Sequence, residues 1–370
     1  WHLAAIAASP ARLSAGGSRQ RLPQRYALAT MWPRVRRAAG AIIIGVPAVA
    51  LGASAWYREQ HRPKLPPHHL RDLNGATVVM TGATSGIGKA VASRLVSQGA
   101  TVVIGCRDES RGEASRQEIL SGAGISAEQV EVLPLDLANI GSVKVFAREC
   151  QARHPRSIST LISVAAEIVY EHPRLTASGA DLGFATNHLG LQALVSELEP
   201  SLMQASPAGS ERKRVVIVGS RLEARGVVEP DVVQQTRGAQ LSADFASRDP
   251  MRRYADTKRC NALLATALAA RWRGQPIDVL SVTPGMVHTG LWRNFPQWYQ
   301  ALTYPIRAVA LRSADDAALG VVYAAAALEV DGKSGAYLSD GVEVQPSQGA
   351  LDTAVAGRLF EVCSEIIGRG

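Results

Sequence analysis

Tyr254 and Lys258 lie four residues apart in the stretch "RRYADTKRCNALLATALAARW", which places them on one face of a predicted helix. An ammonium group beside a phenol stabilises the phenolate and lowers a phenol pKa that is ordinarily about 10. A tyrosine shifted in this way can act as a general acid or base near neutral pH. The spacing therefore predicts proton-transfer chemistry, although the same spacing also occurs in helices that carry no site.

A glycine-rich turn, "TGATSGIGKA", begins at Thr81 and has the composition of a phosphate-binding loop. A triphosphate-binding loop has four residues between its glycines, then a lysine followed by a serine or threonine that holds magnesium. Here five residues separate Gly82 from Gly88, and Lys89 is followed by Ala90. The turn is therefore not of the triphosphate-binding type.

The same glycines fit a turn that binds a dinucleotide. Gly82, Gly86 and Gly88 form a T-G-x-x-x-G-x-G pattern between a strand-like run, Ala76–Met80, and a helix-like run, Ile87–Val96. A helix N-terminus offers free N–H groups and a positive dipole end to a pyrophosphate, and glycines let the backbone approach it. A βα turn without a ligand is the alternative at this point.

The end of the second predicted strand bears on the choice of cofactor. A carboxylate here holds the ribose hydroxyls of NAD, whereas an arginine suits the 2′-phosphate of NADP. The strand "TVVIGC" is followed by Arg107, with Arg111 close behind and Asp108 adjacent. This order favours NADP(H) over NAD(H), with a solvated charge at a helix start as the alternative.

The remainder of the chain alternates short apolar, β-branched runs with longer helix-like stretches, such as Asn187–Met203 and Tyr254–Trp272. Apolar strands joined by crossover helices are typical of a parallel sheet covered on both faces. The predicted fold is therefore an α/β doubly wound parallel sheet of the Rossmann type, in one catalytic domain over residues 74–370, with its ligand at the carboxyl ends of the strands. The four cysteines show no metal-ligand spacing, so no metal site is predicted.

The basic charge of the chain is confined to its amino-terminal part. The formal net charge is +8, with 40 basic and 32 acidic residues, and residues 1–58 hold eight arginines and no acid. The rest of the chain is neutral, so nucleic-acid binding loses its main support. Residues 1–37 are predicted to be a basic leader, either of transit type or upstream of a start at Met31.

Residues 38–57 contain no charged side chain and are long enough to cross a bilayer once. Three arginines precede the run and two aromatic residues end it, as at a membrane interface. We predict a single membrane-anchoring helix, with a cleaved signal peptide as the alternative; the organelle membrane (endoplasmic reticulum, mitochondrion or plastid) is left open. Residues 58–73, rich in proline and histidine, are predicted to be a stiff spacer.

Taken together, T-G-x-x-x-G-x-G and Y-x-x-x-K resemble the short-chain dehydrogenase/reductase superfamily, over about Asn74–Gly368. The stretches "FATNHLG" and "SGAYLSDG" resemble its retinol-dehydrogenase-like branch, and "LPLDLAN" and "VVIVGS" match further family segments. "TPGMVHTGLW" resembles the family's P-G-x-V-x-T turn, which implies that it closes over the nicotinamide. The resemblance implies that the cofactor is bound by Gly82, Thr84, Ser85, Gly86, Ile87, Gly88, Arg107, Asp136, Tyr254, Lys258, Pro284, Gly285, Val287 and Thr289.

The resemblance also implies four catalytic residues. Tyr254 would be the general acid in carbonyl reduction or the base in alcohol oxidation, and Lys258 would lower its pKa and hold the nicotinamide ribose. Ser220 would hydrogen-bond the substrate oxygen, and Asn187 would hold a water that links Lys258 to solvent. The implied enzyme is a membrane-anchored, NADP(H)-preferring oxidoreductase for a small lipophilic alcohol or carbonyl of retinoid, steroid or lipid type; a homodimer is left open.

Two departures from the family pattern leave alternatives. The family's N-N-A-G segment is here "SVAA", Ser163–Ala166, and a polar insert widens the interval between Ser220 and Tyr254 to 34 residues. A catalytically silent member that senses redox state or binds a partner is one alternative. A protochlorophyllide-reductase-like enzyme is another, since "RYADTKRCN" also resembles its active helix, although Met286 replaces that family's cysteine.

Overall fold

The computed structural model describes residues 64–368, with gaps at 123, 170–173, 178, 205–211, 230–247, 288–296, 298–299, 302–303 and 305–310. The leader and the predicted anchor, residues 1–37 and 38–57, lie outside the described residues. Among the helices that are described, none combines the length and the apolar character needed to span a bilayer.

An eight-stranded sheet forms the centre, in the order β3-β2-β1-β4-β5-β6-β7-β8. Its strands are β1 (Thr77–Thr81), β2 (Thr101–Cys106), β3 (Val130–Pro134), β4 (Ile158–Ser163), β5 (Lys213–Val218), β6 (Ile277–Thr283), β7 (Tyr337–Ser339) and β8 (Val342–Glu343). Strands β1 to β7 are parallel, and β8 returns antiparallel to β7. The predicted Rossmann-type parallel sheet is confirmed.

The strand order reverses between β1 and β4, which lie side by side although two strands and three helices separate them along the chain. In sheets of this kind the crevice at such a reversal, at the carboxyl ends of the strands, is where a ligand binds. The glycine turn after β1 and the "SVAA" segment after β4 both open into this crevice. The topology therefore brings together the glycine turn and the "SVAA" segment, which are far apart in the sequence.

Helices cover both faces of the sheet. They are α1 (Gly86–Val96), α2 (Glu109–Leu120), α3 (Ile140–Arg153), α4 (Gly190–Leu202), α5 (Pro250–Arg271), α6 (Ala314–Ala326) and α7 (Thr353–Gly368). Side chains alternate along β1, so that Val78 and Met80 pack with α1, α2 and α6, whereas Val79 packs with α3, α4 and α5. Both faces are apolar, which explains why the strands read as continuous apolar runs.

Two predicted helices begin elsewhere than the sequence pattern suggested. The helix expected over Asn187–Met203 is preceded by a π-helical turn, Ala185–Leu189, and its regular part is α4. The helix expected from Tyr254 begins at Pro250, because the Asp249 side chain caps it by accepting from the N–H groups of Met251 and Arg252.

Residues 64–73, which we call the strap, were predicted to be part of a spacer, but they lie against the catalytic domain. Leu65 and Pro66 pack beside Gly341 at the β7–β8 turn. His69 accepts from Leu328 N through its carbonyl and donates from its own N–H to Glu329 at 2.8 Å. The strap therefore runs along the edge of the domain.

The strap is fixed most firmly at Arg71, whose side chain is buried. Its guanidinium pairs with Asp331, which also receives the fully buried Arg214, and it donates to the Arg212 carbonyl. Arg214 in turn donates to the carbonyls of Ala324 and Ala327 at the end of α6. Buried guanidinium groups keep their charge only with such partners, so the strap belongs to the folded unit.

Candidate active site

The glycine turn after β1 has no room for a side chain at Gly82 or at Gly88. Gly82 has φ +73°, and a Cβ on it would lie 2.5 Å from Ala165 N; a Cβ on Gly88 would lie 2.2 Å from the Gly82 carbonyl oxygen. Gly86 also has a positive φ, 54°. Strand, turn and helix are therefore packed as closely as glycine allows, and the backbone N–H groups at the start of α1 remain open to a ligand.

The other residues predicted at this turn follow the same backbone. Thr84 and Ser85 are half-buried, and Ile87 is buried in the first turn of α1. Ser85 is the N-cap residue of α1, but its hydroxyl makes no capping hydrogen bond. The buried Ser115 of α2 donates its hydroxyl to the Ala83 carbonyl at 2.9 Å and so fixes the turn from the neighbouring helix. This arrangement fits the pyrophosphate of a dinucleotide.

The ends of β2 and β3 lie side by side, with Cys106 opposite Pro134. Arg107 is exposed there and has no carboxylate partner among the described residues. Asp108 is engaged as the N-cap of α2, where its carboxylate accepts from Arg111 N at 3.1 Å and from the Ser110 hydroxyl at 2.7 Å. Asp108, the acidic residue next to Arg107, therefore acts as the cap of α2.

Asp136 follows β3 at the same rim of the sheet and is half-buried. Its carboxylate accepts from Ala138 N at 3.0 Å, and its own N–H donates to the Ser142 hydroxyl at 2.9 Å. These bonds make a tight turn between β3 and α3. Asp136 therefore lies just past the end of β3, and Arg107 lies just past the end of the neighbouring strand β2.

Tyr254 and Lys258 project from one face of α5 towards the carboxyl end of β5. The Lys258 ammonium donates to the Val218 carbonyl at 2.9 Å and lies 5.6 Å from the centre of the Tyr254 ring. Ser220 stands two residues beyond that carbonyl, just past the end of β5, and its hydroxyl accepts from Leu222 N at 3.2 Å. The three predicted side chains therefore share one corner of the crevice.

The direction of the tyrosine pKa differs from the sequence prediction, which was wrong on this point. Burial raises the pKa of Tyr254 well above its ordinary value, because the phenolate would lose its hydration. The same burial lowers the pKa of Lys258 to about 8. In the protein chain itself, the cost of desolvation outweighs the attraction of the ammonium group, which is directed at the Val218 carbonyl.

Asn187 lies on the π-helical turn and faces the segment that follows β4. Its side-chain oxygen accepts from Glu167 N at 2.8 Å, and its amide donates to the Glu167 carbonyl at 2.9 Å and to the Thr257 hydroxyl at 3.2 Å. Thr257 immediately precedes Lys258, so Asn187 connects the π turn, the β4 loop and α5. The fourth predicted residue thus lies beside the other three.

The "SVAA" segment keeps its place next to the glycine turn without the asparagines of the family pattern. Val164 N donates to the Thr81 carbonyl at 3.2 Å, and Ala165 N donates to the Thr81 hydroxyl at 3.3 Å. The backbone N–H and the carbonyl of Glu167 are both bonded to the Asn187 side chain. Backbone hydrogen bonds therefore hold this loop, and they do not depend on the side chains that the family pattern would supply.

The P-G-x-V turn follows β6. Gly285 has φ +75°, Val287 is buried, and Pro284 is half-buried at the strand end. Thr289 and the centre of the insert before α5 lie outside the described residues. The turn lies beside the segment that precedes α6. In that segment, Arg312 N donates to the Met286 carbonyl at 3.0 Å.

Sequence reasoning missed the apolar wall around Tyr254. The tyrosine packs with buried Ile168 and with the half-buried Ala166, Leu222 and Met251. These residues come from the β4 loop, the segment after Ser220 and the first turn of α5. They carry no motif, and only the fold brings them together, so no sequence signal could have found them.

A comparison with protein-family models matches residues 76–229 to the short chain dehydrogenase family. Retinol dehydrogenase 14 of Mus musculus is 30% identical over 306 residues, covering 80% of this chain and 87% of that protein. Polyprenol dehydrogenase of Mus musculus is 33% identical over 312 residues, covering 83% and 87%. A crystal structure of an uncharacterised Mycobacterium paratuberculosis protein has a TM-score of 0.61 at 27% identity, covering 81% and 96%.

The chain belongs to the short-chain dehydrogenase/reductase family, in its retinol-dehydrogenase-like branch. Membership of this family makes the protein an oxidoreductase that transfers hydride with a nicotinamide cofactor. The closely packed glycine turn, at the point where the strand order reverses, fits the dinucleotide part of that cofactor.

Proposed function

We propose that this protein is an NADP(H)-preferring oxidoreductase that interconverts a lipophilic alcohol and its carbonyl compound, of retinoid, steroid or lipid type. The observation that carries the proposal is the position of Tyr254, which packs in an apolar wall while Lys258, Ser220 and Asn187 surround its corner of the crevice. An apolar wall favours an apolar substrate. Two relatives are named for the apolar alcohols retinol and polyprenol, which supports the same class.

The nicotinamide cofactor, when bound, supplies or accepts the hydride. The chain's own residues handle the proton and the substrate oxygen. Tyr254 would donate its phenolic proton to the carbonyl oxygen during reduction, and its raised pKa means that the phenol carries this proton before the reaction begins. The Ser220 hydroxyl would hydrogen-bond the same oxygen and orient it towards Tyr254.

Lys258 would stabilise the phenolate that proton donation leaves behind. With a pKa of about 8, the Lys258 side chain is mostly charged near neutral pH. Its Nζ lies 5.6 Å from the centre of the Tyr254 ring, which is close enough for the charge to stabilise a buried phenolate. Asn187 would support the proton path, because its side chain bridges Glu167 and Thr257 directly beside Lys258. The Arg107 guanidinium would receive the 2′-phosphate of NADP(H), since Asp108 is used as a helix cap.

The decisive experiment replaces Tyr254 by phenylalanine and measures NADPH oxidation with retinal, steroid ketones and fatty aldehydes. Tyr254→Phe should bind NADPH like the wild type but lose most turnover, because only the transferable proton is removed. Near-wild-type turnover in Tyr254→Phe would contradict the proposal. A wild type that binds NADPH tightly but turns over none of these compounds would favour a silent, cofactor-sensing member of the family.

We also propose that residues 38–57 anchor the enzyme to an organelle membrane as a single helix, since 20 uncharged residues suffice for one crossing. An anchor would keep the site where apolar substrates partition. Washing membranes with alkaline carbonate should leave the full-length protein in the pellet, whereas a chain that begins at Pro63 should stay in the supernatant. Release of the full-length chain, or cleavage after residue 57, would identify the segment as a removable targeting signal.

A further inference from the structure

The P-G-x-V turn after β6 is held in place by an arginine outside its own motif. Arg312 N donates to the Met286 carbonyl at 3.0 Å, and Arg312 pairs with Val287 as in a short parallel bridge. The guanidinium also donates to the Pro284 carbonyl at 3.4 Å. Arg312 therefore contacts three of the four residues of the turn, Pro284, Met286 and Val287, through its backbone and its side chain.

The guanidinium packs directly against the glycine of the turn. A Cβ on Gly285 would lie 3.2 Å from Arg312 Nη1 and 3.3 Å from its Cζ. The side chain has 23% of its surface exposed, so most of it is enclosed by the turn and its neighbours. A shift of Arg312 would therefore move the turn, or open a gap beside it.

Asp340 fixes the guanidinium from the other side. Its two carboxylate oxygens accept from Arg312 Nη1 at 2.5 Å and from Nη2 at 2.8 Å, a two-point geometry that sets the plane of the guanidinium. Asp340 and Gly341 form the β7–β8 turn with φ values of 54° and 74°, the backbone of a tight hairpin. The carboxylate is thus presented by a stiff element that is paired to β6 through β7.

We infer that Arg312 and Asp340 are positioning residues that hold the P-G-x-V turn against the nicotinamide half of the cofactor. The inference rests on the proposed function, because the turn gains a ligand only if the cofactor lies across the carboxyl ends of the strands. Neither residue would touch the reacting atoms. Their effect would be confined to the half of the cofactor that lies near β6, at a distance from Arg107 across the sheet.

Binding of two ligands distinguishes an effect on the nicotinamide half of the cofactor from an effect on the adenine half. NADPH spans the whole crevice, whereas 2′,5′-ADP carries only the adenine half and its 2′-phosphate. Titration calorimetry should show Arg312→Met and Asp340→Asn weakening NADPH by about ten-fold or more while 2′,5′-ADP changes by less than about two-fold, as for one lost hydrogen bond to a charged group. Arg312→Lys, which keeps the charge but makes one contact, should lie between these variants and the wild type.

A matched control is the Arg212–Asp278 pair, which also has two hydrogen bonds, each 2.8 Å, but lies at the amino ends of β5 and β6. Arg212→Met should lower thermal stability and leave the ratio of the two affinities unchanged. Should Arg312→Met fail to fold, Asp340→Asn carries the test, because asparagine accepts the positive φ of this turn.

Equal losses for both ligands, or an unchanged NADPH affinity in Asp340→Asn, would overturn the positioning role. The proposed function fails separately, if wild-type protein binds neither ligand or if Tyr254→Phe keeps its turnover. The ratio of the two affinities therefore tests the positioning pair, and the wild-type values test the enzyme.

Discussion

The side-chain amide of Asn261 donates to the backbone carbonyl of Asn187 at 3.0 Å, which joins the third turn of α5 to the π-helical turn. The Asn261 side-chain oxygen accepts in turn from His188 Nδ1 at 3.0 Å, with the donor assigned from this network. His188 is fully buried, and its Nε2 has no hydrogen-bond partner among the residues that the structure describes. The backbone of the catalytic asparagine candidate is thus supported by a neutral histidine and an amide.

This network predicts a specific sensitivity to acid. Burial lowers the pKa of His188 from 6.5 to about 4, so between these values the unfolded chain binds a proton that the folded chain does not. The free energy of unfolding should therefore fall as the pH drops from 6.5 towards 4, by up to roughly 3 kcal/mol. Urea unfolding of the wild type and His188→Gln across this range measures the effect.

The variant should lose that part of the acid sensitivity, because glutamine does not titrate. Identical slopes for wild type and His188→Gln would show that His188 does not stay neutral in the fold.

Lys258 predicts that stability also rises with pH in the alkaline range. Its pKa is lowered by burial from 10.5 to about 8, so between these values the unfolded chain binds more protons and stability rises with pH. Relative to Lys258→Met, the wild type should gain up to roughly 3 kcal/mol as the pH rises from 8 to 10.5. Lys258→Met should also lose turnover, and the exposed Lys333→Met should show neither effect.

Cofactor selectivity should depend on Arg107. Arg107→Ala should weaken NADPH binding by about one to two powers of ten, as for a lost hydrogen bond between charged groups, and leave NADH nearly unchanged. Fluorescence titration with both cofactors measures this. Asp108→Ala is informative beside it, because loss of a helix cap should lower stability by about 1 kcal/mol without changing NADH affinity. Equal losses for both cofactors in Arg107→Ala would assign the residue to the fold.

The crowding at the glycine turn can be tested with a pair of alanine variants. Gly82 and Gly274 both have positive φ, 73° and 83°, but only Gly82 has atoms within 4 Å of an added Cβ. Gly274→Ala should cost about 1–2 kcal/mol of stability from backbone strain alone. Gly82→Ala should cost about 1–3 kcal/mol more, from overpacking, and should abolish cofactor binding. Similar stabilities for both variants in thermal denaturation would contradict the close packing.

The sequence predicts the parts of the site that depend on spacing and strand order. Tyr254 and Lys258 share a face because helices repeat every 3.6 residues, and the segments after β1 and β4 meet because parallel strands end at one edge. The direction of the Tyr254 pKa could not be predicted, because it depends on how deeply neighbouring elements bury the phenol. The capping role of Asp108 was open to prediction, because aspartate is a preferred N-cap residue and Asp108 directly precedes α2.

Arg312 and Asp340 were missed for a related reason. They lie 28 residues apart, on either side of α6 and β7, and nothing in their spacing marks them as partners. The π-helical turn at Asn187 likewise arises from tertiary bonds to Glu167, Thr257 and Asn261, which a local helix pattern does not contain. Contacts between distant segments decide these features.

The strap has a consequence for the order in which the chain folds during synthesis. His69 and Arg71 bind Glu329 and Asp331, partners that lie 260 residues later in the chain. At about 5–20 residues per second, a ribosome needs many seconds to supply those partners after the strap has emerged. The strap therefore docks among the last elements of the domain, and until residues 329–331 have emerged it stays accessible to other molecules.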